Sequence, residues 1–405
     1  MPDFLKARDH SDVEAAVQWA VANGKSLEVI GHGSKRALGR PAQYDATLDL
    51  ATIAGVTLYE PEELVLSAKA GTPTSEIEAL LASHGQQLAF EPMDYGPIFG
   101  APRGQGTIGG AIGINLSGPR RIKAGAARDH FLGATAVSGR GETFKSGGRV
   151  VKNVTGYDLC KLLAGSWGTL AVLTEVTVKV LPRAPNEATL LVFGLDDRTA
   201  GVAMAAAMGS PFGVSGAAHL PDYLVRRLDG LTEAEATTAF RVEGVAASVT
   251  HCLEGLKRAL KTFGAFAVLE EVQSAALWRG IRDVQPFWHD GDCGERALWR
   301  LSTPPGKGFE VAANISPAAQ LFYDWAGGLI WVAVLPSLDC GAGEIRSAVA
   351  ATGGHATLVR ASAAVRATVD VFQPEAGALA ALTKRVKEGF DPKGVLNAGR
   401  MWAGV

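Results

Sequence analysis

Gly106-Thr107-Ile108-Gly109-Gly110-Ala111-Ile112-Gly113-Ile114-Asn115-Leu116-Ser117-Gly118 places five glycines in thirteen residues. Glycine at that density weakens a helix or strand by up to about 1 kcal/mol per residue, so a compensating reason is needed, and close approach of backbone to a ligand is the commonest. The stretch lies in a wider region, Gly96 to Gly168, that holds 17 of the 49 glycines, nearly twice an even share. Gly104-x-Gly106-x-x-Gly109 matches the spacing of a dinucleotide fingerprint. That fingerprint follows a buried parallel strand, whereas here Phe99-Gly100-Ala101-Pro102-Arg103 precedes it, and proline does not suit a central strand. A Walker phosphate loop is excluded as well, because Gly24-Lys25-Ser26 has Trp19 where the first glycine should stand. What remains is a flexible lining with a hydroxyl at Thr107 and a carboxamide at Asn115, suited to a long cofactor held by backbone contacts.

Two further segments have the same character. Gly31-His32-Gly33-Ser34-Lys35-Arg36 follows an expected strand, Ser26 to Ile30. It reads either as a tight turn or as a loop that presents backbone N–H groups, the Ser34 hydroxyl and the Lys35 charge to a diphosphate. The other runs from Lys152-Asn153-Val154-Thr155-Gly156-Tyr157-Asp158-Leu159 through Gly165-Ser166-Trp167-Gly168-Thr169-Leu170 to a strand over Ala171 to Val180. Its alternation puts Val172, Thr174, Val176 and Val178 on one face and Leu173, Glu175 and Thr177 on the other.

Around these segments the pattern predicts a helix from the capping box Ser11-Asp12-Val13-Glu14 to Gly24, a strand over Glu63 to Ala70, and a helix from Thr72-Pro73 to Gly85. With 405 residues the chain exceeds what one core usually serves. We expect two domains that split near the middle, in an α+β fold: residues 1–185, a second domain over 186–375 without internal repeat or recognisable motif, and a closing segment over 376–405. The tail opens with an amphipathic helix from Gly377 to Lys387 and closes on Phe390-Asp391-Pro392-Lys393-Gly394-Val395-Leu396-Asn397-Ala398-Gly399-Arg400.

Composition sets the outer bounds. Lys and Arg number 39 against 41 Asp and Glu, a net charge of -2, which gives no general attraction to nucleic acid or anionic membrane. The N-terminus lacks a signal-like apolar run, and the stretch Gly327 to Pro336 is too short to span a bilayer, so cytoplasmic residence is expected. Cys160, Cys252, Cys293 and Cys340 are scattered, and His219, His251, His289 and His355 stand apart from one another. No metal site is expected, and an iron–sulfur centre would have to sit on another chain.

Taken in order, Gly31-x-Gly33-Ser34, Thr107-Ile108-Gly109-Gly110 with Asn115, Arg128-Asp129-His130-x-Leu132-Gly133, Gly156-Tyr157-Asp158-Leu159 and Gly165-Ser166-x-Gly168-Thr169-Leu170 resemble the signature of the vanillyl-alcohol-oxidase, or PCMH-type, FAD-binding family. The resemblance covers roughly the first 185 residues and the last 30. It implies a PCMH-type FAD-binding domain of two α/β subdomains, a smaller α+β cap, and a tail that returns to the flavin. The FAD-binding residues it implies are Gly31, His32, Gly33, Ser34, Lys35, Gly106, Thr107, Ile108, Gly109, Gly110, Gly113, Asn115, Thr155, Gly156, Gly165, Gly168, Thr169, Val172 and Asn397. Some relatives attach FAD through a histidine in the first loop; here that position falls on Ser34, so non-covalent FAD is expected, with His32 near the diphosphate.

Within the family, Trp325-Ala326-Gly327-Gly328 and Gly353-Gly354-His355-Ala356-Thr357-Leu358-Val359-Arg360 are similar to the E subunits of bacterial glycolate oxidase. That likeness implies a complex with a longer flavin subunit and an iron–sulfur subunit, acting on a small 2-hydroxy acid, and reaching the inner face of the membrane only through its partners. A self-sufficient oxidase or dehydrogenase of another 2-hydroxy acid or alcohol, and a structural subunit that has lost its flavin, are the alternatives. The catalytic base stays unassigned; Arg300 and Arg360 could each give a carboxylate a guanidinium, or be structurally paired.

Overall fold

The computed structural model describes residues 3–150, 156–229, 231, 235–289 and 294–405. The first helix, His10–Asn23, buries Val13, Val17 and Ala20 on one face and stops at Gly24, whose φ of 61° is left-handed and free of cost only for glycine. Its cap is Asp9, not Ser11: the Asp9 carboxylate accepts from the Asp12 N–H. Asp3–Lys6 and Leu27–Ile30 flank Ala46–Asp49 in a three-stranded parallel sheet.

A five-stranded antiparallel sheet follows, in the order Val56–Glu60, Val65–Lys69, Ala171–Lys179, Phe131–Ser138, Thr143–Gly147. The alternation expected along Ala171–Lys179 does not hold throughout. Thr135 pairs with Glu175 and Ala136 with Leu173, so the strand bulges at Thr174. Leu173 therefore shares a core with Val176 and Val178, and Val172 packs in a different core, under the first helix.

The third sheet takes all eight strands from residues 186–360, in the order Phe266–Leu269, Asn186–Phe193, Thr237–Gly244, Gly216–Leu220, Gln320–Asp324, Leu329–Val334, Ala297–Ser302, His355–Arg360. It contains an internal repeat that the sequence does not show. Each half runs strand, helix, two strands, helix, strand, and each has its first strand between its third and fourth: the ferredoxin-like split βαβ arrangement. The halves meet edge to edge at His219 and Tyr323. Each half has its own packing needs, so a shared path of the chain leaves no common residue pattern.

The tail returns to the first sheet. Leu396 bridges Leu27 in parallel, the Leu27 N–H donates to the Val395 carbonyl at 2.7 Å, and the Asn397 N–H donates to the Leu27 carbonyl at 2.9 Å. Ahead of it, in the helix Gly377–Phe390, the buried Lys387 ammonium donates to the Thr169 and Leu396 carbonyls and to the Asp391 carboxylate at 2.7 Å. Across the other side of the molecule, Glu91 accepts from Arg120 at 2.6 Å and from Arg241 at 3.0 Å, and Arg120 donates to Glu243 at 2.7 Å. This buried network ties the glycine-rich half to the eight-stranded sheet.

Candidate flavin site

The loop Gly31–Arg36 leaves the parallel strand Leu27–Ile30 and faces the short helix Ile108–Gly113, with a cavity of about 810 Å3, its open mouth included, between them. Each glycine here has its own reason. A Cβ on Gly31 would lie 2.8 Å from the Thr107 hydroxyl, which caps the short helix by accepting from the Gly110 N–H. A Cβ on Gly109 would lie 2.6 Å from the Ala70 Cβ and 2.8 Å from its carbonyl oxygen, so this glycine serves packing of helix on strand. At Gly113 a Cβ would meet nothing within 4 Å. That position opens into the cavity.

Trp167 and Gly168 are both left-handed, at φ 58° and 69°, and bring the backbone against Asn397. The Asn397 carboxamide accepts from the Val29 N–H and donates to the Trp167 carbonyl, each at 2.9 Å. Val29, Ile30, Leu50, Ala70, Ala171, Val172 and Leu173 give the apolar wall.

Some polar atoms that line the cavity lack partners. His32 Nδ1 and Arg400 Nε are buried without a hydrogen-bond partner among the described residues. The Lys35 ammonium has the Ser34 hydroxyl at 3.1 Å, and burial pushes its pKa down to about 8, Asp94 opposing and Arg400 adding to the shift. Arg36, by contrast, is spent on Glu28 at 2.9 Å. A cavity with apolar walls, glycine backbone, His32 and Lys35 from the first loop and Arg400 from the tail fits a diphosphate-containing dinucleotide: the anion supplies the charge and acceptors these groups lack.

Of the expected site residues, Gly31, His32, Gly33, Ser34, Lys35, Thr107, Gly109, Gly110, Gly113, Gly168, Val172 and Asn397 line this cavity. Gly106 lies outside it, accepting from Thr74 N–H, and Ile108 points into the core. Thr169 is buried, its hydroxyl donating to the Ser166 carbonyl. Gly156 is exposed, and Thr155 lies outside the described residues. Asn115 and Gly165 line a second cavity, which shares Ile114 and Trp167 with the first.

Sequence reasoning missed Arg400, Ser166 and Trp167 just before Gly168, and the wall from Leu50 and Ala70. Only the neighbourhood of Arg400 to Asn397 in the tail could have signalled it. Of the two candidate clamps, Arg360 is structural, donating to the Ile98 and Phe287 carbonyls at 2.9 and 2.7 Å, whereas Arg300 lines the second cavity. Among the described residues no group of His, Cys, Asp or Glu could hold a metal ion, and no helix is long and apolar enough to cross a membrane.

Comparison with known proteins bears on the fold and the cofactor. A family model described as FAD binding domain matches residues 3–147. The structure of p-cresol methylhydroxylase with substrate bound superposes with a TM-score of 0.73 at 12% identity, over 99% of this chain and 88% of that one, a likeness of fold alone. Fold and cavity thus define a PCMH-type flavoprotein of the oxidoreductase class, with FAD as its cofactor. The chain belongs to the family of glycolate oxidase subunit GlcE: it is 34% identical to that protein of Escherichia coli over 388 residues, 96% of this chain and 95% of the other. A stretch of 85 residues, 21% of this chain and 18% of the other, is 44% identical to glycolate oxidase subunit GlcD of Bacillus subtilis.

Proposed function

We propose that this chain is the FAD-bearing subunit of a glycolate oxidase (glycolate dehydrogenase) complex that converts glycolate to glyoxylate, working in electron transfer or assembly beside a longer flavin subunit and an iron–sulfur subunit. The observation that carries this reading is likeness to GlcE along nearly the whole of both chains. Residues 1–185 with 376–405 form the flavin-binding body and 186–375 the cap. Gly31 to Lys35, with Arg400, hold the diphosphate; Gly113, Gly168, Val172 and Asn397 shape the rest of the channel. Bound there, FAD supplies a two-electron acceptor that can hand electrons on singly. The protein's own part is to bind and orient it and to exclude water. With serine at position 34 the flavin is held without a covalent bond, and electrons leave through a partner chain.

The test is co-purification with partner chains followed by a visible spectrum. We expect a yellow complex whose flavin passes into the supernatant on acid precipitation and which reduces an artificial acceptor with glycolate. A colourless chain, or a complex inert to glycolate, overturns the reading. A second reading, a self-sufficient dehydrogenase, is favoured by one observation, the presence of Arg300 in the second cavity. Anaerobic glycolate then bleaches the flavin of the lone chain rapidly and stoichiometrically, instead of leaving it largely oxidised.

A further inference from the structure

The eight-stranded sheet ends on two outer strands, Phe266–Leu269 and His355–Arg360, the last strand of each half. The chain covers one of them. The Leu358 N–H donates to the Val371 carbonyl at 2.8 Å and the Ala356 N–H to the Gln373 side chain at 3.2 Å, so the segment after the strand closes that edge. Phe266–Leu269 has no such cover. The Phe193 N–H donates to the Ala265 carbonyl at 3.1 Å, which sets the phase of the antiparallel pair. Ala265, Ala267 and Leu269 face Asn186–Phe193, while Phe266 and Val268 turn their N–H and C=O groups outward. Among the described residues no donor or acceptor meets those groups.

An open edge is a template for another strand, and proteins commonly guard it with lysine, proline or a bulge. Phe266-Ala267-Val268-Leu269 has none of these, and its register against Asn186–Phe193 is unbroken. Just past it, Val272 is 82% exposed in the first turn of the helix Glu271–Arg282. The charges at the two ends of the strand decide what fits. Arg258 and Lys261 precede it, Glu270 and Glu271 follow it, and all four are exposed. A parallel neighbour of the same sequence sets like charge beside like. An antiparallel one sets basic end against acidic end at both ends of the pair, and opposes Phe266 of each copy to Val268 of the other, where each N–H finds a C=O.

We propose that this edge joins antiparallel to the same edge of a second copy of the chain, about a two-fold axis at Ala267, so that two eight-stranded sheets become one. No residue from Arg258 to Val272 lines the flavin cavity, so both copies keep theirs open.

Sedimentation velocity on the purified full chain, over a range of micromolar concentrations, is expected to show a dimer that dissociates on dilution. Val268→Pro removes an outward N–H that makes no bond within the chain, and proline is tolerated on a sheet edge. This variant is expected to fold and to stay monomeric at concentrations at which the parent is dimeric. Lys261→Glu and Glu271→Lys each set like charges together twice, and each alone is expected to weaken the dimer by roughly tenfold. Mixed in equal amounts, the two variants restore both attractions, so the mixture should associate as tightly as the parent, the recovery fading in high salt. Circular dichroism and flavin content report the folding of every variant; should Val268→Pro fail to fold, the charge pair carries the test. A parent chain that is monomeric throughout, a dimer that survives Val268→Pro, or a mixture no tighter than either variant overturns the proposal. So does a monomeric parent whose complex with other chains is broken by Val268→Pro, since the edge then belongs to a partner of different sequence.

Discussion

Two residues separate what a glycine is for in this site. Gly109 stands against the Ala70 backbone and Gly113 against open space, although both belong to one short helix of glycine-rich sequence. Gly113→Leu is therefore expected to leave a soluble protein with a thermal midpoint within a few degrees of the parent and little or no bound flavin, read as the ratio of absorbance at the flavin and protein bands. Gly109→Ala, which forces backbone apart, is expected to lose about 1–3 kcal/mol in denaturant titration instead. A flavin-replete Gly113→Leu protein would remove this loop from the cofactor. Lys35 makes a second test. Its free-state pKa is lowered to about 8, and an anion beside it raises it again. The affinity gained from this charge is then full below about pH 8 and is lost progressively as pH rises from there to the higher value of the bound state, with proton uptake on binding between the two. Fluorescence titration of the flavin-free protein from pH 7 to pH 10 should show the decline, and Lys35→Met should bind more weakly and flatten it.

At the scale of elements, the pieces that line the first cavity were the most legible. The loop after Leu27–Ile30, the Thr107 to Gly113 turn and the Asn397 tail each carry glycine, asparagine or threonine where backbone must turn or be capped, and those requirements survive in single residues. The bulge at Thr174 was not legible, since one skipped partner reverses the faces of a strand without changing its composition. Nor was the doubled arrangement of the eight-stranded sheet, whose halves share a path of the chain but no side chains that must match. The helix Gly377–Phe390 offers the strongest element-level test. Lys387→Met leaves the Asp391 carboxylate with the Val395 and Leu396 N–H groups but no cation. Breaking one side of such a buried pair costs roughly 3–5 kcal/mol, so urea denaturation should show a loss of that order together with reduced flavin content. Unaltered stability would mean the tail is not locked by this pair.

Over the whole molecule, the buried carboxylates between the two halves set the response to acid. Burial raises the Glu243 pKa, but Arg241 and Arg120 outweigh it and hold the carboxyl at about 2 against an ordinary 4.5. A depressed folded-state value means that stability is fully present above pH 4.5 and drains away as pH falls towards 2. Denaturant midpoints measured across that interval should fall, and Glu243→Gln should lower stability at neutral pH while making the acid slope shallower; a parallel slope would place the acid response elsewhere. The same long-range economy governs the flavin channel. Its floor begins at Val29 and is finished by Asn397, 368 positions later, with Arg400 behind it. During synthesis, then, a nascent chain has every glycine of the cavity's loops long before it has Asn397, and the cavity closes only once that segment has left the ribosome.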